Sequence, residues 1–201
     1  MERIEVKKIA ITGGIGSGKS TVSAYIKERG YPVFSCDEIY KEVITTPAYI
    51  NAIQKVFPNV IQNGEIDRKR LSEQVFTDEK KRLDLNAVAH PLIMQRLMEK
   101  MQACTSELIF AEVPLLFEGG YQNLFDQIII VKRSVEQRIQ SVCERDGLTR
   151  EQAQMRMCAQ IDYDGEQMHK LEQMSNVFIL QNDKDVSHLK IATDTILKRL
   201  S

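Results

Sequence analysis

The sequence has no long apolar run, no excess of charge of one sign, no tryptophan and only four cysteines among its 201 residues. Because a membrane-spanning helix needs about 20 consecutive apolar residues, the lack of such a run argues against a transmembrane segment. The 27 basic and 28 acidic side chains give a formal net charge of −1, so no overall field favours nucleic acid or an anionic lipid surface. We therefore expect neither class of partner.

The cysteines and histidines do not have the spacing of a metal site. The four cysteines lack C-x-x-C spacing, and the three histidines are widely separated in the chain. An even number of cysteines would allow two disulfides, but reduced thiols in a cytoplasmic protein are the interpretation that we favour. The charged N-terminal segment also lacks the apolar core of a signal peptide. We expect a cytoplasmic protein that is a monomer or a weak homo-oligomer.

A glycine-rich loop directly after the first apolar run is the most informative feature. Residues 13–21 match G-x-x-x-x-G-K-[ST], the phosphate-binding loop of P-loop NTPases. Its glycines let backbone amides approach an anion, and the following helix adds its positive N-terminal end. Lys19 is predicted to reach the β- and γ-phosphates of ATP, and the Ser20 hydroxyl to bind Mg²⁺. The predicted ATP-binding residues of the loop are Gly14, Ile15, Gly16, Ser17, Gly18, Lys19, Ser20 and Thr21. The alternative is a simple glycine-rich turn between a strand and a helix.

Apolar runs alternate with helical patterns along most of the chain, which predicts an α/β fold with a parallel sheet and right-handed crossovers. The sequence predicts strands over residues 6–12, 32–35, 108–113, 128–131 and 177–180. It predicts helices over 20–29, 39–44, 48–57, 68–76, 79–103, 135–145, 151–160 and 186–200. Pro91 should kink or split the helix over 79–103. Residues 39–103 show helical patterns only and are too many for a simple crossover, so we interpret them as an inserted subdomain.

The phosphate-binding loop alone does not distinguish kinases from GTPases and motor ATPases. Residues 162–165 fit D-x-x-G and residues 182–185 resemble N-K-x-D, but the first string lies far from its expected place and the second likeness is superficial. No apolar run ends in paired acids, as it would in a motor ATPase. A small-molecule kinase explains more of the sequence, whereas a nucleotide-dependent switch or binding protein stays open as an alternative.

Two carboxylates lie at the ends of predicted strands: Asp37 just after the second, at the sheet edge where open α/β folds bind ligands, and Glu112 at the end of the third. Asp37 could accept the proton of an attacking hydroxyl, as a catalytic aspartate does in phosphoryl transfer. Its alternative role is that of a helix N-cap. Glu112 could organise Mg²⁺ through a water molecule, or it could be an N-cap or an edge acid.

Four arginines lie on the two charged helices predicted after the fourth strand. Charged residues on a helix are by default a solvated face. In a small kinase, however, an arginine on a mobile lid can stabilise the transferring phosphoryl group and exclude water. We predict this catalytic role for Arg145 and a surface position for the other three: Arg138, Arg150 and Arg156.

Several motifs resemble those of the dephospho-CoA kinase family, and they follow the family's order from Lys8 to Asn182. They are the phosphate-binding loop from Ile11 to Thr21, Asp37, the segments 64–71 and 75–76, residues 90–93, Pro-Leu-Leu-Phe-Glu at 114–118, residues 145–149, Ala159-Gln160 and Asn182. The chain departs from the family at Glu112, where aspartate is frequent, and at Ser141, where an arginine is expected. Arg138 stands near an expected glutamine, and residues 162–174 lack the usual E-E-K string.

The resemblance implies transfer of the ATP γ-phosphate to the ribose 3′-hydroxyl of dephospho-CoA, the last step of coenzyme A synthesis. It implies a P-loop core of five parallel strands (1–40, 107–134 and 175–201), a helical CoA-side domain (41–106) and a lid (135–174). Asp37 is then the base, and Lys19 and Arg145 stabilise charge. Asn182 is assigned to ATP, and Mg²⁺ to Ser20 and, through water, to Glu112. Thr12, Asp37, His90 and Leu115 are assigned to dephospho-CoA.

Overall fold

The computed structural model describes residues 6–62 and 64–200. They divide into two compact units. The first, which we call the sheet unit, runs up to Phe34 and resumes at Cys104, and the second, the helical unit, extends from Ser35 to Ala103. Residues 39–103, predicted to be an inserted subdomain, fall within the helical unit, and the predicted domain boundaries stay a prediction. None of the helices in the described part of the chain is long and apolar enough to cross a membrane.

Seven strands and nine α-helices are present in the described residues. The strands are β1 (Lys7–Thr12), β2 (Val33–Ser35), β3 (Ile61–Gln62), β4 (Glu65–Ile66), β5 (Leu108–Glu112), β6 (Gln127–Lys132) and β7 (Val177–Gln181). The helices are α1 (Lys19–Glu28), α2 (Cys36–Val43), α3 (Pro47–Val56), α4 (Arg68–Thr77), α5 (Glu79–Gln102), α6 (Val135–Asp146), α7 (Arg150–Cys158), α8 (Glu166–Glu172) and α9 (Val186–Leu200).

The main sheet has five strands in the order β2-β5-β1-β6-β7. Strand β1 pairs in parallel with β5 and β6, and β6 pairs in parallel with β7. In this register Ile11 lies beside Glu112, and Thr12 beside Ile130. The carboxyl ends of the three central strands therefore meet at one edge, directly below the loop that follows β1. The predicted five-stranded parallel sheet is confirmed.

Burial explains why the central strands are continuously apolar in sequence. Residues 128–131 of β6 are fully buried, as expected for a parallel strand covered by helices on both faces. Helix α1 contributes Val22 and Ile26 to this core, while α9 contributes Leu189 and Leu197. The amphipathic spacing of these residues places them on one helix face.

In the helical unit, α2, α3 and α4 each pack on the long helix α5. Helix α5 runs without interruption past Pro91, so the prediction that proline splits it is wrong. Proline removes the hydrogen bond to the carbonyl of Ala87, four residues earlier. Both residues are exposed, so water can hydrate this carbonyl without breaking the helix.

The expectation of helices only over residues 39–103 is also wrong, because β3 and β4 form a short antiparallel hairpin. Ile61 pairs with Ile66, and Gln62 with Glu65. A two-residue connection with the sequence Asn-Gly is the strongest short hairpin signal, and Gly64 has a φ of 82°. Residue 63 itself lies outside the described residues. The strands are so short that their alternation is not visible in the sequence.

The segment after β6 contains one helix more than the sequence predicts. Helix α7 begins with the expected capping box, in which Thr149 and Gln152 exchange hydrogen bonds. Helix α8 is the addition, and it falls in the segment that departs from the family pattern. Lys132 on β6 donates to Glu172 at the end of α8 over 2.7 Å. This ion pair ties α8 to the sheet.

Candidate active site

The loop after β1 has the conformation that its glycines predict. Gly18 precedes α1 with a φ of 98°, a left-handed conformation that favours glycine, and a side chain there would overlap the amide of Asn182. Asn182 is buried and donates from Nδ2 to the carbonyl of Ser17 over 2.8 Å. The structure therefore brings Asn182 onto the loop, as expected if both bind one nucleotide.

Lys19 lies over the start of the same loop. Its side chain is 8% exposed, and Nζ donates to the carbonyls of Gly13 and Gly14 over 2.8 and 3.1 Å. A buried ammonium requires several acceptors, and these carbonyls hold it at the entrance of the loop. This position suits the predicted contact of Lys19 with the terminal phosphates.

Ser20 and Glu112 form a direct pair beside the loop. The Ser20 hydroxyl donates to Glu112 Oε1 over 3.0 Å. Glu112 ends β5 and does not begin a helix, so its interpretation as an N-cap is wrong. A hydroxyl and a carboxylate are hard oxygen donors of the kind that Mg²⁺ prefers, and Mg²⁺ usually keeps several waters. The pair fits an Mg²⁺ site in which Ser20 binds directly and Glu112 through water.

We expect Glu112→Gln to raise the Mg²⁺ concentration needed for half-maximal activity by about 10- to 100-fold, a range typical of lost outer-shell ligands. The amide keeps the shape of the side chain but removes the negative charge that would attract hydrated Mg²⁺. Activity titrated with Mg²⁺ at saturating ATP measures the shift. Glu107→Gln, at an exposed position before β5, is the control and should leave the titration unchanged.

Two side chains from the helical segment after β6 hold Ile15 of the loop. Arg138 on α6 donates from Nε to the Ile15 carbonyl over 3.0 Å, and Gln160 Oε1 accepts from the Ile15 amide over 2.6 Å. Arg138 is only 5% exposed, so its predicted surface position is wrong. Helical periodicity does not reveal contacts with distant segments. The surface prediction was therefore wrong for Arg138, which the phosphate loop covers.

Arg145 lies on the exposed side of the same segment. Its side chain is 61% exposed and forms a two-bond pair with Asp146 over 2.7 and 3.0 Å. The hydrogen bond from Arg145, aided by Arg156, lowers the pKa of Asp146. Arg150 pairs with Glu136, and the surface positions predicted for Arg150 and Arg156 are confirmed. The catalytic role of Arg145 stays a prediction.

Thr12 and Leu115 lie in the sheet unit near segments that follow β6. Thr12 Oγ1 is 3.5 Å from the hydroxyl of Tyr163, a buried residue that the sequence did not indicate. Burial raises the pKa of Tyr163 to about 12, so its hydroxyl is neutral. Leu115 is half-buried in the turn after β5, and Glu118 of the same turn accepts from the backbone amide of Ile161 over 2.9 Å. The Pro-Leu-Leu-Phe-Glu turn thereby contacts the predicted lid (135–174) at Ile161.

Asp37 and His90 belong to the helical unit. Asp37 is exposed in the first turn of α2, and the N-cap position is occupied by Ser35, so the N-cap interpretation of Asp37 is wrong. The catalytic role of Asp37 stays a prediction. His90 is half-buried within α5, directly before Pro91.

Sequence reasoning missed Arg133. Its side chain contacts Ser141, the position at which the family resemblance predicts an arginine. Arg133 follows β6, and its Nη1 donates to the Ser141 hydroxyl over 2.8 Å. A search for basic residues at the carboxyl ends of strands would have found it. Tyr163 had no comparable signal, since it lies in a polar segment.

Comparisons with known proteins agree with this geometry. The family model of dephospho-CoA kinase matches residues 7–187. A dephospho-CoA kinase of Geobacillus kaustophilus is 38% identical over 158 residues, covering 76% of this chain and 79% of its own length. One of Thermus thermophilus is 32% identical, covering 96% of this chain and 91% of its own. A crystal structure of a Thermus thermophilus protein, also 32% identical, superposes with a TM-score of 0.78 and covers 98% of this chain and 99% of its own. The chain belongs to the dephospho-CoA kinase family.

Proposed function

We propose that this protein transfers the γ-phosphate of ATP to the ribose 3′-hydroxyl of dephospho-CoA, giving coenzyme A and ADP. The observation that carries the proposal is the family match over residues 7–187, which supplies the identity of the acceptor. The glycine-rich loop, Lys19 and the Ser20–Glu112 pair supply the features that a nucleotide-phosphate site needs. No other small-molecule acceptor is supported by a comparable family match.

Different side chains of the protein have different roles in the proposed reaction. Loop amides and Lys19 hold the triphosphate, and Asp37 accepts the proton of the 3′-hydroxyl. The hydroxyl oxygen forms its bond to the γ-phosphorus while the bond from that phosphorus to the β–γ bridging oxygen breaks, and ADP leaves. Mg²⁺, when bound at Ser20, neutralises charge on the phosphates. ATP use follows from the family, whereas Mg²⁺, the cytoplasmic location and the monomeric or weakly associating state stay predictions.

A cavity in the helical unit supports an acceptor site there. It has a volume of about 270 Å³. It is lined by Tyr40, Ile44, Tyr49, Ile66, Arg68, Leu71, Ser72, Val75 and Leu85. Dephospho-CoA combines a long, partly apolar arm with a diphosphate, and the cavity offers apolar walls with one cation, Arg68. We propose that this cavity accepts part of the arm.

Arg68→Gln should therefore raise the KM for dephospho-CoA by about tenfold, the cost of one charge-assisted hydrogen bond. The KM for ATP should stay within about twofold, because Arg68 lines the proposed acceptor cavity, whereas ATP is assigned to the phosphate loop. Steady-state kinetics with each substrate varied in turn measure both constants. Arg82→Gln, an exposed arginine of α5 paired with Glu79, is the matched control. An equal rise of both KM values would count against an acceptor cavity.

A coupled ADP-release assay across several acceptors tests the proposed function. We expect dephospho-CoA to stimulate ADP release strongly, and adenosine, nucleoside monophosphates and sugar acids to give background rates. The assignment is wrong if nucleoside monophosphates stimulate turnover and dephospho-CoA does not. ATP binding with no stimulation by any acceptor would favour a nucleotide-dependent switch instead.

A further inference from the structure

Arg138 is a buried cation without an ion-pair partner in the described part of the chain. No carboxylate lies within 4.0 Å of its guanidinium there. Its side chain donates to a neutral acceptor, the Ile15 carbonyl, and its guanidinium carbon lies 5.9 Å from the centroid of the Tyr163 ring. Asp162 and Asp164 act on it only at longer range, and both are exposed. Burial lowers the pKa of the guanidinium, yet an arginine keeps its charge.

A buried charge with so little compensation costs free energy, unless a bound anion supplies what is missing. A carbonyl dipole and an aromatic face offset part of that cost. The guanidinium has five N–H donors and commits one of them to Ile15, so it retains the planar fork that suits phosphate oxygens. The residue therefore has the properties of an anion-binding group.

The place of Arg138 identifies the anion. A methyl group added at Gly14 would overlap its Nη2, so the guanidinium lies against Gly14 at the start of the phosphate loop. The Lys19 ammonium touches the carbonyls of Gly13 and Gly14 at this same end. Since the lysine of such a loop reaches the β- and γ-phosphates, Arg138 lies at the end of the loop that holds the terminal phosphates.

The amide of Ile15 provides a second, independent observation. It donates to the carboxamide oxygen of Gln160 over 2.6 Å, a short bond. A phosphate oxygen is the acceptor that loop amides usually take. The carboxamide oxygen of Gln160 thus accepts the hydrogen bond of the Ile15 amide, next to the guanidinium of Arg138. Ile15 offers both a bond to Arg138 and a place for a ligand oxygen.

We propose that Arg138 binds the terminal phosphates of ATP directly, and that a phosphate oxygen replaces Gln160 on the Ile15 amide when ATP binds. Arg138 then discriminates ATP from ADP and stabilises the charge of the transferring group. This inference rests on the proposed function only in that ATP is the donor. The phosphate contact in this proposal belongs to Arg138. Arg145, in contrast, forms an ion pair with Asp146.

Calorimetric titration with ATP and with ADP, without acceptor, tests the proposal. Arg138→Gln should weaken ATP binding by about 10- to 100-fold, and ADP binding several times less, because a charge-assisted phosphate contact is lost. Arg138→Lys keeps the charge without the fork, so its ATP affinity should lie between those of the wild type and Arg138→Gln. Arg150→Gln, an exposed arginine of α7, should bind both nucleotides as the wild type does.

A role of Arg138 only in holding Ile15 would give a different result. ATP and ADP affinities would then fall by the same factor, or neither would change, and the proposal would be overturned. If Arg138→Gln does not fold, the ratio of ATP to ADP affinity in Arg138→Lys decides in the same way. Since no acceptor is present, the outcome is independent of whether dephospho-CoA is the substrate.

Discussion

Asp37→Asn should lower kcat by about 10²- to 10⁴-fold, the usual contribution of a positioned general base. The asparagine amide keeps the size and polarity of the side chain but cannot take the proton of the attacking hydroxyl. The Kd for ATP should stay near its wild-type value, because the proposed role of Asp37 is toward the acceptor hydroxyl, whereas ATP is assigned to the phosphate loop. Single-turnover rates and calorimetric ATP titration separate the two effects.

The neighbouring carboxylate provides the control for this experiment. Glu38 is also exposed, lies in the same turn of α2 and carries the same charge. Glu38→Gln should leave kcat within about twofold of the wild type. If Asp37→Asn and Glu38→Gln have equally small effects, Asp37 is not the base.

Lys19→Ala should lower kcat/KM by about 10³-fold, because the variant loses both a phosphate contact and the charge that stabilises the transition state. The substitution removes the bonds of the ammonium to the Gly13 and Gly14 carbonyls but leaves the Asn182–Ser17 bond, so we expect the fold to be kept. Initial rates at several ATP concentrations measure the loss, and circular dichroism reports whether the fold is kept.

Lys27→Ala is the matched control for Lys19, because Lys27 lies on the same helix at an exposed position. Its kinetic constants should equal those of the wild type. Should Lys19→Ala retain more than a tenth of the wild-type kcat/KM, the ammonium would have no essential role in phosphoryl transfer.

The sequence predicted best those elements whose signal is local. The loop after β1 is specified by its glycines and the Lys-Ser-Thr ending, and the buried strands by continuous apolar runs such as residues 128–131. The capping box at Thr149 was also visible, since both of its partners lie within one helical turn. Glu112 could be placed beside the loop because parallel strands bring their carboxyl ends to one edge.

The missed features depend on contacts between residues far apart in the chain. Arg138 looks like a solvated helix residue in sequence, but its side chain contacts the phosphate loop 123 residues earlier. Tyr163 is buried although its neighbours are polar, because it packs under that guanidinium and approaches Thr12. The hairpin of β3 and β4 was missed because two-residue strands carry no periodicity. Hydrophobic patterns indicate which apolar residues of one helix or strand are buried. They do not indicate polar contacts between distant segments.

Transfer of radiolabel from [γ-³²P]ATP to dephospho-CoA tests the central claim most directly. We expect the label in the 3′-phosphate of coenzyme A, with one ADP formed for each label transferred, and no transfer by Lys19→Ala or Asp37→Asn above about 1% of the wild-type rate. Label found only in inorganic phosphate, or on an acceptor other than the 3′-hydroxyl, would contradict the account.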